Sequence, residues 1–219
     1  MQPVTRHNNF IVFTLSLVAL LLAAAIGRML PPQLEALFQH AVVLGCIVVA
    51  YVSLSFGPYW HRFIGSLFVL ALLANTVGEY IHAPTGEVSR HLVALIFFLG
   101  SAYNASRQVL MSDEVKANII VGALAIYLLL GLVWAALYQL IIIFFPTAFH
   151  GIETVPATSS YPELLYFSYV TLATLGYGDI TPAIPLTRTL AYLEAIAGTF
   201  YLAIVVASLI GARKHRTPH

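Results

Sequence analysis

Cysteine is nearly absent: Cys46 stands alone among 219 residues, which excludes an intrachain disulfide and a cysteine metal cluster. Charge is scarce too, with Asp, Glu, Lys and Arg at 9% and a net charge of +1. Ten cations spread along the chain build no basic face, so no nucleic-acid partner is expected. The sequence also lacks a nucleophile-and-base pair, metal-spaced histidines and a glycine-rich phosphate loop, and nothing in it supports an enzyme. What fills the chain is apolar. Hydrophobic residues make up 60%, and the mean hydropathy is +0.88. No soluble domain of this length needs that much apolar surface, and the reading is an all-α integral membrane protein in the cell membrane.

Turn chemistry separates the apolar runs. A helix over about 10–28 stops at Pro31-Pro32, a second over 35–56 at Gly57-Pro58, and a third over 61–82 before Pro84 and Gly86. A fourth covers 88–110, and a fifth, 115–145, ends at Pro146. After a polar stretch, a short helix over 161–172 precedes the last one, 186–212. The run Phe10 to Ile26 is 17 residues. That is longer than the roughly 7–15 of a signal core and at the short edge of a spanning helix, so it is read as a retained first helix.

The count is six transmembrane helices plus one re-entrant segment, divided as a four-helix domain over 1–111 and a second domain over 112–219. Six spans put both termini on one side. With cytoplasmic termini, Arg6, Arg62, Arg107, Lys116, Arg213, Lys214 and Arg216 lie inside, and Arg28, Arg90 and Arg188 outside, which favours that orientation.

The segment Thr174-Leu175-Gly176-Tyr177-Gly178-Asp179 interrupts this apolar pattern. A pore that strips water from a cation must offer oxygens in return, and an extended segment can do so if successive carbonyls point one way. Such a backbone alternates in hand, and Gly176 and Gly178 stand where a positive φ is demanded. The segment resembles the selectivity filter of potassium channels, matching Thr-Val-Gly-Tyr-Gly-Asp at five of six positions with Leu175 in the valine place. The short helix before it and the long helix after it agree with that resemblance. The arrangement is similar to bacterial channels with six helices and one pore.

The resemblance implies that Thr174, Leu175, Gly176 and Tyr177 present carbonyl oxygens to K⁺, the permeant ion, with the Thr174 hydroxyl as innermost ring and Gly178 counted with them in the ion-coordinating filter. No cofactor is implied. Tyr177 and Asp179 are expected to brace the segment. Tyr166 and Phe167 take places that two tryptophans hold in many voltage-gated relatives, and so count as filter support. The short helix aims its C-terminal partial negative charge toward the cavity. One filter per chain implies four chains in a ring, a homotetramer embedded in lipid.

Gly198, within Ala195-Ile196-Ala197-Gly198, resembles the family's glycine hinge, although close helix packing explains a helical glycine equally well. Thr199, Leu202, Val206 and Ile210 are the cavity-lining candidates. Glu194 is a carboxylate in the body of the last helix, expected to bond a hydroxyl of the short helix, Ser168 or Thr171, and to support the filter from behind.

The fourth helix carries only Arg90 and Arg107, too few to act as a voltage sensor. His82, His91 and His150 are expected to be interfacial rather than proton or metal sensors. Seven residues after 212 hold no regulatory domain, so any ligand control is expected from another chain. The function expected is passive, selective K⁺ conduction. Two alternatives stand beside it: a poorly selective cation channel, if packing behind Leu175 distorts the outer sites, and a non-conducting membrane subunit, whose sign would be a filter lacking its glycines or threonine.

Overall fold

A computed structural model describes residues 8–27, 29–54, 59–67, 69–70, 85–111, 117–152 and 160–214. The elements run α1 (Asn9–Gly27), α2 (Pro32–Ser53), a helical stretch α3 over 60–67, α4 (Thr85–Leu110), α5 (Ala117–Phe144), β1 (Phe149–His150), α6 (Tyr161–Leu172), β2 (Thr181–Pro182) and α7 (Pro185–Lys214). Proline sets several boundaries. Pro31 is extended, with φ −56° and ψ 145°, as a residue before proline must be, and Pro32 then opens α2 without losing a hydrogen bond. Pro162 and Pro185 sit in the first turns of α6 and α7 for the same reason. Glu163 adds a carboxylate to the first turn of α6, where the helix dipole favours it.

Three of the described helices are long and apolar enough to cross a membrane: Asn9–Gly27, Ala117–Phe144 and the part Pro185–Val205 of α7. The 28 residues of α5 extend roughly 42 Å, which crosses a ~30 Å hydrocarbon core with length to spare. In α2 the apolar stretch is shorter, Leu44–Ser53. α4 mixes Ser101, Asn104, Ser106, Arg107 and Gln108 into its second half. Most of the third expected span, together with His82, lies outside the described residues.

The chain divides into two compact units, Met1–Leu67 with Gly100–Leu129, and Phe68–Leu99 with Leu130–His219. The first unit holds a set of side-chain amides around the C-terminal end of α2. Asn9 donates to the Ser53 carbonyl at 3.0 Å, Asn104 to the Leu54 carbonyl at 3.0 Å, and the Trp60 indole to the Ala50 carbonyl at 3.2 Å. Asn118 closes the set through Asn9 Oδ1 at 2.8 Å. Helix C-termini leave carbonyls without intrahelical partners, and in an apolar setting the amides of Asn9 and Asn104 satisfy those of Ser53 and Leu54, while the Ala50 carbonyl also accepts the Leu54 backbone N–H at 3.0 Å.

The second unit carries the filter-like segment, residues 174–179. Its core is Tyr138, Ile141 and Ile142 of α5, Ala148 and Phe149 of the connection, and Leu164 and Phe167 of α6. Tyr138, Phe149 and Phe167 form a triangle of edge-to-face rings with centroids 5.2–5.4 Å apart. Such pairs contribute about 0.5–1.5 kcal/mol each beyond their area. β1 and β2 pair antiparallel, Phe149 opposite Pro182 and His150 opposite Thr181. The Ala183 amide and the Thr187 hydroxyl both donate to the Ala148 carbonyl, at 2.9 and 3.0 Å. This clasp ties the chain before α6 to the chain after the filter.

Candidate functional site

The filter follows α6 without a gap, and its conformation is set by who takes the amide protons. The amides of Ala173 and Thr174 donate to the carbonyls of Tyr169 and Thr171, at 3.0 and 2.9 Å. Those of Leu175 and Gly176 both reach the Val170 carbonyl, at 2.9 and 3.4 Å. The last turn of α6 is thereby capped by the filter's own backbone. Among the described residues, no hydrogen bond is made to the carbonyls of Thr174 through Gly178. Residues 173–179 are exposed on the single chain, so these five successive oxygens are left open to a partner from outside it.

Backbone hand alternates as expected, and further than expected. Gly176 and Gly178 have φ of +58° and +83°. Thr174 has +57°, and it is the one non-glycine at positive φ among the described residues. Every second residue from 174 to 178 is left-handed, the pattern that turns consecutive carbonyls to one side. For a β-branched residue this conformation is strained, on the order of 1–3 kcal/mol, and the amide bond of Thr174 to Thr171 helps hold it. Sequence reading found the two glycines because glycine announces positive φ; threonine gives no such signal. On the single chain Leu175 and Tyr177 are 56% and 66% exposed.

Tyr166 and Phe167, neighbours in sequence, face different surroundings. Tyr166 stacks on Tyr177, with ring centroids 6.5 Å apart and an interplanar angle of 16°. Its hydroxyl donates to the Asp179 carboxylate, and that hydrogen bond holds the Asp179 carboxyl below its ordinary range. The same bond is the chief reason the Tyr166 phenol is raised. Phe167 is buried in the triangle with Tyr138 and Phe149, and supports α6 through the core rather than through the Tyr177 ring. The i and i+1 positions of a helix point about 100° apart, so the two cannot share one face.

Glu194 is fully buried on α7. Of the two hydroxyls expected beside it, Ser168 makes the contact, Oγ to Oε1 at 2.6 Å. Sequence reading missed its second partner, Tyr138 of α5, whose hydroxyl donates to Oε2 at 2.7 Å. Tyr138 and Glu194 are 56 residues apart, and no spacing rule links them. Ser168 Oγ also stands 2.8 Å from the Gly131 carbonyl oxygen. Gly131 lies against the Tyr169 ring, so α5 and α6 touch where a side chain would not fit.

Gly198 is buried in an unbroken stretch of α7, and an added Cβ would land on the Leu172 carbonyl oxygen. The glycine seats the inner end of α6. Thr199 and Leu202 are exposed on the single chain, and the Thr199 hydroxyl is turned back to the Ala195 carbonyl at 2.9 Å. The side chains of Val206 and Ile210 lie outside the described residues. His91 is on α4, and His150 is exposed on β1. Among the described residues no group of three or more His, Cys, Asp or Glu is placed to hold a metal ion.

Residues 122–212 match the profile of a family described as "Ion channel". The chain is 50% identical over 54 residues to the inward rectifier potassium channel Kirbac3.1 of Paramagnetospirillum magnetotacticum, covering 25% of this chain and 18% of that protein. It is 37% identical over 62 residues to two-pore potassium channel 5 of Arabidopsis thaliana, covering 28% and 14%. A third similarity, 35% over 68 residues, is to two pore potassium channel c of Oryza sativa subsp. japonica, covering 30% and 15%. The matched stretch thus spans less than a fifth of each relative's length. No solved structure matches the chain with statistical support. The stretch 122–212, whose α6 is capped by the backbone that follows it, is thus similar to ion channels in its family profile and in the three relatives.

Proposed function

We propose that this protein is a potassium-selective channel that conducts K⁺ passively as a homotetramer. The observation that carries the reading is the run of five filter carbonyls, Thr174 to Gly178, left without hydrogen bonds in a backbone of alternating hand. A dehydrated cation is the partner that such a row of oxygens satisfies. The exposure of Leu175 and Tyr177 on the single chain supports a ring of copies, since irregular backbone at membrane depth is tolerated only where protein surrounds it. The names of the relatives, potassium channels all, support K⁺ as the ion. In this reading Asp179, Tyr166, Phe167 and Glu194 support the filter, and Thr199, Leu202, Val206 and Ile210 line the cavity. The chain is multi-pass with cytoplasmic termini, and a four-helix domain over 1–111 precedes the pore domain over 112–219.

Leucine in place of valine at 175 favours one second reading, a channel of weak selectivity. Flux from liposomes holding only the purified protein tests conduction, and the reversal potential in mixed sodium and potassium solutions separates the two readings. A reversal potential that ignores the potassium gradient removes the first.

Voltage dependence is expected to be shallow. Each charge crossing the field contributes about 2.3 kcal/mol per 100 mV, and steep gating takes three or four per subunit. Arg90 and Arg107 are 17 positions apart on α4. Single-channel open probability that changes e-fold within a few millivolts would contradict this.

The outer mouth is expected to respond to acid through Tyr166. Because the Asp179 carboxyl is lowered, its bond to Tyr166 is in place above the carboxyl's ordinary value and is lost as pH falls through the lowered one. Tyr166→Phe removes the bond and returns the carboxyl toward its ordinary range, so acid inhibition of flux should begin at higher external pH than in the unaltered protein. Coincident flux profiles for the two would show that Tyr166 does not govern the state of Asp179.

A further inference from the structure

Three short oxygen-to-oxygen contacts meet at one buried point of the second unit. They are Tyr138 Oη to Glu194 Oε2 at 2.7 Å, Ser168 Oγ to Glu194 Oε1 at 2.6 Å, and Ser168 Oγ to the Gly131 carbonyl at 2.8 Å. Each is most favourable with a proton of its own between the two oxygens, because lone pairs facing one another at such distances repel. Tyr138 and Ser168 carry one hydroxyl proton each, and a carbonyl carries none. Two protons serve three contacts only if Ser168 divides its one proton between two acceptors, as Thr187 does between the Ala148 and Ile184 carbonyls at 3.0 Å each; the contacts at Ser168 are shorter, 2.6 and 2.8 Å.

With one proton to each contact, the balance closes in one way. Ser168 must donate to the Gly131 carbonyl, which can only accept, and Tyr138 donates to Oε2. The contact between Ser168 Oγ and Oε1 then requires a proton on the carboxyl. We propose that Glu194 is held as a neutral carboxylic acid that donates to Ser168, so that a directed chain runs from Tyr138 to Glu194 to Ser168 to the Gly131 carbonyl. The chain starts and ends on α5, where positions 131 and 138 are two turns apart on one face, and it passes through α7 and α6 between. It therefore fastens the three helices around the filter at a single place. Glu194, Ser168 and Tyr138 are fully buried, and the groups that face the carboxyl are two hydroxyls rather than a cation. A bare carboxylate there would lack a counter-charge, a costly state in an apolar interior.

Tyr138 and Ser168 become positioning residues for conduction, a consequence that rests on the channel reading, whereas the proton count does not. A glutamine at 194 offers one carbonyl toward Tyr138 and one N–H toward Ser168, the same donor and acceptor as the neutral acid. Leucine offers neither and strands two buried hydroxyls.

Infrared spectra of the full chain in liposomes at neutral pH test the assignment. A protonated-carboxyl C=O stretch is expected in the unaltered protein, lost in Glu194→Gln, and shifted in Tyr138→Phe, which removes the bond that Oε2 accepts. Potassium flux should stay within about threefold in Glu194→Gln and fall by about tenfold or more in Glu194→Leu. A carboxylate band, rather than an acid band, lost in Glu194→Gln would overturn the proposal. If that variant fails to assemble, an acid band unmoved by Tyr138→Phe overturns it instead. The spectra read the proton whether or not the protein conducts, so a silent wild type would remove the channel reading and leave the proton count standing.

Discussion

Gly178→Ala is expected to abolish the preference for potassium over sodium while leaving the protein in the membrane. Gly178 sits at φ +83°, where an L-residue costs roughly 1–2 kcal/mol. An added Cβ would meet nothing within 4 Å of the single chain, so the penalty is conformational rather than a clash. In the proposed ring of four copies the cost is roughly 4–8 kcal/mol, comparable to the whole stability of a domain. The filter relieves that cost by rotating the peptide, which turns its carbonyl away from the row. Thr174 shows that the fold can hold a side chain at such a φ, but its amide is tied to Thr171 at 2.9 Å, next to the end of α6. Gly178 is four residues farther from that anchor. The reversal potential under mixed-ion conditions measures the outcome, and an unchanged preference in the variant would remove Thr174 to Gly178 from the ion path.

Gly198→Ala is expected to destabilise the packing of α7 against α6, and here two effects of opposite sign compete. Alanine gains about 1 kcal/mol of helix propensity over glycine. Against this, its Cβ falls on the Leu172 carbonyl, a backbone atom that no rotamer change can move. Overpacking of this kind costs about 1–3 kcal/mol, and the strain is delivered to the residue that ends α6, two positions before the filter. The clash should prevail. Thermal melting of the assembly and potassium flux together decide it: packing predicts a lower melting temperature with reduced flux. A hinge that needs only glycine's flexibility predicts a variant that melts higher and opens less often. A more stable variant with unaltered flux would leave neither role to Gly198.

Much of the local structure between 117 and 214 was legible because its signals are local. Proline at 32, 146, 162 and 185 marks helix ends through missing amide protons and a fixed φ, and the apolar runs between them are long enough to read directly. Gly176 and Gly178 declare their backbone hand by having no side chain. Glu194 stands out in an apolar helix because an acid there must find a partner.

What no local rule supplied was the identity of the partners. Tyr138 reads as one more aromatic residue in α5 until α7 is laid beside it, and Ser168 is separated from Thr171 as the bonded hydroxyl only by the rotation of α6. Thr174 takes a positive φ because the end of α6 claims its amide, although its own side chain argues against that conformation. Sequence alone therefore determined that the chain is a membrane protein with a filter-like row of carbonyls. Tertiary structure alone decided what stands behind that row, because hydrogen-bond partners 26 and 56 residues apart are chosen by helix packing and not by spacing along the chain.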